Sequence, residues 1–168
     1  MKKRILIIIT LFSFYSINSQ IIYNWQNSTE GWVSGGNCNL TAQHDAMAMR
    51  LFASNAVMRS GNLQANLGIN GGDYNQVQVM IKNPTSGSAV ARLFLYPPGT
   101  NTAACYYTFQ VATAMTGFST YTISLDSLPS GGSSTVYTGP IARFGLRAPW
   151  GGVNLDTIFW KQMIISNT

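Results

Sequence analysis

Five acids and one histidine are the first side chains after residue 19 to consider for acid–base chemistry. The histidine, His44, precedes Asp45 in AQHDAM, a stretch that is typical of a turn between strands. Neighbouring strand residues would point to opposite faces, which also disfavours a catalytic pair here. The motifs GxSxG and HExxH and a phosphate-binding glycine loop are missing from the sequence, so we expect no catalytic centre. The acids are Glu30, Asp45, Asp73, Asp126 and Asp156.

Recognition without bond breaking is a second kind of chemistry, and the chain has better candidates for it. Gln78, Arg92, Tyr96 and Tyr106 alternate with apolar residues, so we place them together on an outward sheet face. Flat rings supply contact area at low entropic cost, while amide and guanidinium groups supply directed hydrogen bonds. Trp150, in RAPWGG, is a separate loop candidate, because the neighbouring proline and glycines favour a partly exposed indole. The alternative is an ordinary polar face on which the aromatics form cross-strand pairs.

The elements that position these side chains are predicted to be short β-strands. Apolar and polar residues alternate with period two along most of the chain, and no convincing amphipathic helix is found. Turn clusters such as NGGD, NPTSGS, PPGTN and LPSGGSS separate the alternating stretches. We therefore predict an all-β fold of about eight to ten strands, arranged as a two-sheet antiparallel sandwich. The alternating stretches are YNQVQVMIK, VARLFLYP, CYYTFQV and STYTISL.

The first nineteen residues have the order of a secretory signal peptide. MKKR is basic, ILIIITLFSFYSI is apolar, and the segment ends at Ser19, where we predict cleavage. The apolar run is shorter than the ~20 residues of a spanning helix, so we expect a secreted protein without membrane insertion. Residues 20–168 are then one domain of about the usual length.

The net charge that remains after the signal peptide is small. Without Lys2, Lys3 and Arg4 it is 7 − 5, or +2, and neither a basic cluster nor a basic stripe is visible in the sequence. We therefore expect no nucleic-acid or anionic-membrane partner. Charged residues make up 9% of the chain, against ~25% in ordinary soluble domains. Such a neutral polar surface suits an uncharged polymer or a neighbouring copy as partner.

Cys38 and Cys105 are the two cysteines of the chain. We predict a disulfide between them, because export and an even number of cysteines favour one. Closing a loop over 105 − 38 = 67 positions would remove roughly 4 kcal/mol of chain entropy from the unfolded state. Two buried thiols are the alternative.

Three stretches of the chain resemble non-catalytic carbohydrate-binding modules with a galactose-binding-like jelly-roll fold. These stretches are NWQNSTEGW, GDYNQVQVMIKNP and ARFGLRAPWGGVNLDTIFW. The resemblance implies a secreted, non-catalytic module that binds a polysaccharide or glycan. Modules of this kind usually serve an attached catalytic domain, and this sequence contains none. The signal sequence also resembles those of exported Bacteroidota proteins.

The resemblance also implies a role for Asp156. In similar proteins the acid of the last strand often helps to bind a structural calcium ion, and carboxylate oxygens suit this cation. Glu30, in the matching EGW turn, would be a second ligand, whereas Gln26 replaces an acid that is common in the family. The alternative is a carboxylate that accepts backbone N–H bonds at a bulge, so that Leu155 and Ile158 both reach the core.

Two other functions compete with glycan binding. The first is a structural or adhesive subunit of an extracellular assembly, in which low charge and neutral loops favour self-association through sheet faces or edges. The second is a small polysaccharide-degrading enzyme. It would need two carboxyl groups ~5–10 Å apart, and Glu30 with Asp156 is the one pair that we can place close together.

Overall fold

The computed structural model describes residues 20–168, and the signal peptide predicted for residues 1–19 lies outside them. The described residues form thirteen strands and one short 3-10 turn at Gly71–Asp73. No helix within this range is long and apolar enough to cross a lipid bilayer. The strands are β1 (Gln20–Asn24), β2 (Val33–Gly36), β3 (Cys38–Ala42), β4 (Met47–Leu51), β5 (Val57–Arg59), β6 (Ile69–Asn70), β7 (Gln76–Lys82), β8 (Val90–Tyr96), β9 (Cys105–Gln110), β10 (Ser119–Ser124), β11 (Pro140–Ile141), β12 (Arg143–Arg147) and β13 (Thr157–Ser166).

These strands form two main sheets, and every pairing is antiparallel. The first sheet has the order β10-β7-β13-β4-β3, and β1 also pairs with β13. The second sheet has the order β2-β5-β12-β8-β9, while β6 and β11 form a small ribbon. β3 lies against β2 and β5 at one side of the molecule, and β10 lies against β9 at the other. The predicted all-β sandwich is therefore confirmed.

The predicted alternation decides which side chains fill the space between the sheets. On β7, Val77, Val79 and Ile81 are fully buried, whereas the residues between them are only half-buried. Leu93 and Leu95 on β8 repeat this pattern from the second sheet. Because successive strand side chains point to opposite faces, each strand gives one row to the core and one row to the outer face.

The segment before β13 differs from its prediction. The bulge alternative placed Leu155 in the core, but Leu155 and Val153 lie in a turn and expose 45% and 64% of their surface. Leu155 has a φ of 76°, which is a turn conformation rather than an extended one. The strand begins at Thr157, and its register shifts at Lys161 instead of at Asp156.

The predicted disulfide is wrong, because Cys38 and Cys105 are free and buried. Cys38 begins β3 at one side of the sandwich, and Cys105 begins β9 at the other. A disulfide needs Cα atoms about 5.5 Å apart, which these positions cannot reach. The Cys38 thiol instead donates to the carbonyl of Val57, with Sγ and O 3.3 Å apart.

Alkaline pH is expected to lower the free energy of unfolding. Burial raises the pKa of the Cys105 thiol from 9.0 to about 11, although a hydrogen bond with Tyr107 acts the opposite way. Burial, aided by Cys105 and Asp126, raises the pKa of Tyr107 from 10.0 to about 12. Because the unfolded chain loses these protons first, their contribution is complete below pH 9 and falls as the pH rises toward 11.

Denaturant unfolding across this pH range measures the effect, and Cys105→Ala should flatten the profile between pH 9 and pH 11. Below pH 9 the folded protein should react slowly with a thiol reagent, and the unfolded protein should react quickly at both thiols. Rapid labelling of the folded protein, or a flat stability profile, would contradict this interpretation.

Candidate functional site

Positive and negative side chains occupy different parts of the molecule. All seven lysines and arginines of residues 20–168 lie on the outer faces of the two sheets, whereas all five acids lie in turns and loops. Within this range no carboxylate oxygen lies within 4.0 Å of a lysine or arginine nitrogen, and the one ion pair joins His44 to Asp45 in an exposed turn. The charged side chains on the outer faces of the two sheets are therefore all positive within residues 20–168.

Four arginines share the outer face of the second sheet, which we call the arginine face. Arg59 lies on β5, Arg92 on β8, and both Arg143 and Arg147 on β12. The sequence suggested that no basic cluster remains, and this expectation is wrong, because strand pairing gathers residues that are far apart in the chain. The face consists of Arg59, Arg92, Phe94, Tyr96, Tyr106, Arg143 and Arg147.

Aromatic rings on this face support guanidinium groups. The carbon atoms of the Arg59 and Arg143 guanidinium groups lie 5.1 and 5.3 Å from the centroid of the Tyr96 ring. Arg92 lies 4.7 Å from the centroid of Tyr106 in the same way. Such cation–π contacts are worth about 0.5–2 kcal/mol each, and they hold the charged groups in defined positions.

Tyr96 is not part of an open platform, contrary to its predicted role. It exposes 4% of its surface and lies over Gly145, where a Cβ would be 2.6 Å from the ring. Gly145 is the cross-strand partner of both Arg59 and Phe94, so it marks the centre of the arginine face. Tyr106 is half-buried. The ring of Tyr96 thus supports the face, and the half-buried guanidinium group of Arg59 beside it is a contact group.

The four guanidinium groups differ in their hydrogen bonds. Arg143 is 1% exposed and donates to the carbonyl of Thr100 and the side chain of Asn101. Arg147 donates twice to the carbonyl of Ser54, at 2.7 and 3.0 Å. Within the part of the chain that the structure describes, Arg59 and Arg92 donate no hydrogen bond, and the Nε atom of each is buried without a partner. These two half-buried side chains keep donors for a ligand.

The arginines also repel one another. Arg92 and Arg147 are direct cross-strand partners, and like charges in this arrangement are destabilising. Burial and the Arg92 guanidinium both lower the pKa of Arg147. Burial and Arg59 lower the pKa of Arg143, which the Tyr96 side chain partly opposes. The fold therefore keeps these positive charges together, and no acid among residues 20–168 lies within 4.0 Å of them.

Gln78 does not belong to this surface. It lies on β7 in the first sheet and pairs with Thr122 and Ile164, so its side chain is on the opposite outer face. On that face Lys82 lies 4.6 Å from the Phe159 centroid, and both Lys82 and Lys161 lie 5.4 Å from the Phe118 centroid. The predicted group of Gln78 with Arg92, Tyr96 and Tyr106 is therefore divided between two surfaces.

Trp150 lies at the end of the sandwich, three residues after the last residue of β12. Its indole is half-buried and packs against the core, and its carbonyl accepts a 2.7 Å hydrogen bond from the amide of Ser88. It does not join the rings of the arginine face. Its predicted part in ligand binding stays a prediction for a separate loop-end site.

Glu30 and Asp156 are far apart. Glu30 accepts a 2.8 Å hydrogen bond from the amide of Asn24, which pairs with Gln162 in the middle of β13. Asp156 precedes that strand, so 162 − 156 = 6 residues, or roughly 20 Å of strand, separate the two sites. They cannot ligate one ion or act across one glycosidic bond.

Calcium binding by Asp156 alone, or by Glu30 alone, stays a prediction. Residues 20–168 contain no group of three or more His, Cys, Asp or Glu side chains that could hold a metal ion. Asp156 accepts an N–H bond from Val153 at 3.2 Å, and its carboxylate fills the space beside Gly151. Its observed contacts are those of a residue that organises the turn before β13.

Replacing Asp156 with alanine is expected to lower the free energy of unfolding by about 1–2 kcal/mol, because the Val153 amide and the turn lose their acceptor. Asp156→Asn keeps one acceptor oxygen and should lose less. Thermal unfolding with and without added calcium measures both effects. A calcium-dependent rise in the Tm of the unaltered chain that is lost in Asp156→Asn would indicate a bound ion, whereas an unchanged stability in Asp156→Ala would contradict the turn role.

The fold is similar to that of known carbohydrate-binding modules. No protein-family model matches the sequence. No curated protein matches it either. Among solved structures, the low affinity xylan binding module CBM86 from Roseburia intestinalis is 14% identical with a TM-score of 0.55, and the alignment covers 88% of this chain and 94% of the module.

Two further structures have the same fold. The Family 11 carbohydrate-binding module from Clostridium thermocellum, solved with a mixed-linked tetrasaccharide, is 9% identical with a TM-score of 0.58, covering 92% of this chain and 98% of the module. The agarase AgWH50C is 11% identical with a TM-score of 0.58, covering 89% of this chain but 24% of the enzyme. At such identities the likeness establishes a shared sandwich fold.

Proposed function

We propose that this chain is a secreted, non-catalytic carbohydrate-binding module that holds a glycan on its arginine face. The observation that carries the proposal is the pair of half-buried arginines, Arg59 and Arg92, whose guanidinium groups lie on aromatic rings and donate no hydrogen bond within residues 20–168. Glycan hydroxyl groups accept such hydrogen bonds, and fixed donors lose little entropy on binding.

The shared fold and the shape of the site support this function. The structural alignment with this chain covers 94% and 98% of the length of the two carbohydrate-binding modules, but only 24% of the length of the agarase. On the arginine face, the side chains of Arg59 and Arg92 and the rings of Phe94 and Tyr106 are half-buried, so each keeps part of its surface for a ligand. A polymer can lie across such a face without entering a pocket. The signal peptide predicted from the sequence provides the route to an extracellular or periplasmic location.

Isothermal titration against a panel of polysaccharides tests the proposal with two matched variants. Arg92→Ala removes one cation that lies over a ring of the arginine face, and Lys82→Ala removes one that lies over Phe159 on the opposite face. We expect Arg92→Ala to weaken binding at least about tenfold, since hydrogen bonds from a charged group contribute ~1.5–3 kcal/mol. Lys82→Ala should bind as the unaltered chain does. Flat titrations across the panel, or equal losses in both variants, would contradict the proposal.

A structural or adhesive subunit is the second candidate function. Val153 and Leu155 favour it, because both are exposed on one turn and offer an apolar contact to a neighbouring copy. Light scattering over a range of protein concentrations separates the two functions. A monomer supports the glycan-binding module, and concentration-dependent rings or filaments support the subunit.

A further inference from the structure

We infer that the glycan held on the arginine face is an acidic one, which carries carboxylate or sulfate groups along its chain. This inference rests on the proposed function and adds the chemical class of the ligand. Three half-buried arginines share the surface, a fourth (Arg143) is buried beside them, and no acid of residues 20–168 lies within 4.0 Å of any of the four. Neutral sugars would leave this excess of positive charge uncompensated.

The arrangement of charge on the sheet points in the same direction. Arg92 and Arg147 face each other across β8 and β12, although a charged pair of one sign at this position destabilises a sheet. An anionic group between them would relieve the repulsion and receive donors from both sides. Guanidinium groups suit this task, since their planar donors match the two oxygens of a carboxylate or sulfate.

The burial of the arginines adds to the argument. The Nε atoms of Arg59 and Arg92 are out of contact with solvent and have no partner in the described chain. A charged group that is partly dehydrated in this way interacts more strongly with an anion than a fully solvated one does. Lys82 and Lys161 on the opposite face are half-buried too, but neither has a buried nitrogen without a partner.

A glycan is favoured over a nucleic acid as the source of the negative charge. The fold is shared with carbohydrate-binding modules, and the net charge after residue 19 is only +2. A nucleic acid is therefore treated as an outcome of the test.

The test compares polygalacturonate with its fully methyl-esterified form, because the two differ in carboxylate charge while the sugar backbone is the same. Dextran sulfate and dextran form a second pair, and single-stranded polyuridylate is the nucleic-acid probe. We expect an acidic member to bind at least about tenfold more tightly than its neutral partner, with a difference that shrinks as added salt shortens the Debye length from about 10 Å to about 3 Å.

Two double variants with the same change in charge complete the experiment. Arg59→Gln with Arg92→Gln should abolish the preference for the acidic member, whereas Lys82→Gln with Lys161→Gln should keep it.

Equal binding of acidic and neutral members, or a panel in which only neutral glycans bind, would overturn the inference and leave the proposed function intact. Absence of binding to every glycan would overturn both. Polyuridylate binding that exceeds glycan binding and depends on the same arginines would replace the glycan with a nucleic acid. Unchanged Tm values show that the variants are folded.

Discussion

Gly145→Ala is expected to lower the free energy of unfolding by about 1–3 kcal/mol and to weaken glycan binding at least about tenfold. A Cβ at this position would lie 2.6 Å from Cε2 of Tyr96 and 3.3 Å from the carbonyl oxygen of Met58. The Tyr96 ring has no space to move, because it is 4% exposed and the guanidinium groups of Arg59 and Arg143 lie beside it. Its displacement would therefore move both arginines.

Gly117→Ala is the matched control for this substitution. A Cβ on Gly117 would meet nothing within 4 Å, and its φ lies outside the left-handed region. This change should be neutral or slightly stabilising, since it only reduces the freedom of the unfolded chain. Denaturant unfolding and titration with the bound glycan measure both variants. Gly145→Ala with the stability and affinity of the unaltered chain would show that Tyr96 does not position the arginines.

Trp160→Ala should have the largest effect on stability, with a loss of about 3–5 kcal/mol. Trp160 is fully buried at the centre of the first sheet, where it pairs with Ile81 on one side and Met47 on the other. Removing the indole would leave a cavity in the core. The strands on either side, β7 and β4, cannot move in to fill it, because both are hydrogen-bonded into the same sheet. Equilibrium unfolding in urea or guanidinium chloride measures the loss.

Trp160→Phe separates the contribution of packing from that of the indole N–H. The Nε1 atom of Trp160 is buried and has no hydrogen-bond partner, so phenylalanine removes a polar group without breaking a hydrogen bond. We expect this variant to lose clearly less stability than Trp160→Ala. Equal losses in the two variants would contradict the view that the packed volume of the side chain stabilises this position.

The sequence predicts the faces of individual strands well. Val77, Val79 and Ile81 form one row of the alternating stretch YNQVQVMIK, and all three are fully buried. This prediction succeeds because the alternation of side chains can be recognised within a single strand, and because the face that is buried must be apolar. The apolar pattern was misleading at Leu155, which lies in an exposed turn and does not reach the core.

The candidate site was less predictable, because it depends on which strands become neighbours. Alternation places Gln78 and Arg92 outward, but it does not show that β7 and β8 belong to different sheets. It also cannot show that β12 lies between β5 and β8, which brings Arg147 beside Arg92. Every lysine and arginine after residue 19 lies in an observed strand and every acid of this range lies outside one, but only Lys82 and Arg92 lie in the four stretches that alternation marks as strands.

The most direct test of glycan binding at the arginine face is an NMR titration of the arginine side-chain Nε–H signals and the tryptophan indole N–H signals. Arg59 and Arg92 should shift with the added glycan, while Arg50 on β4 of the opposite face should not. The indole of Trp150 reports on the loop-end site in the same spectrum. Shifts at Arg59 and Arg92 with the same saturation curve are the predicted result, and shifts confined to Arg50 or Trp150 would contradict the account.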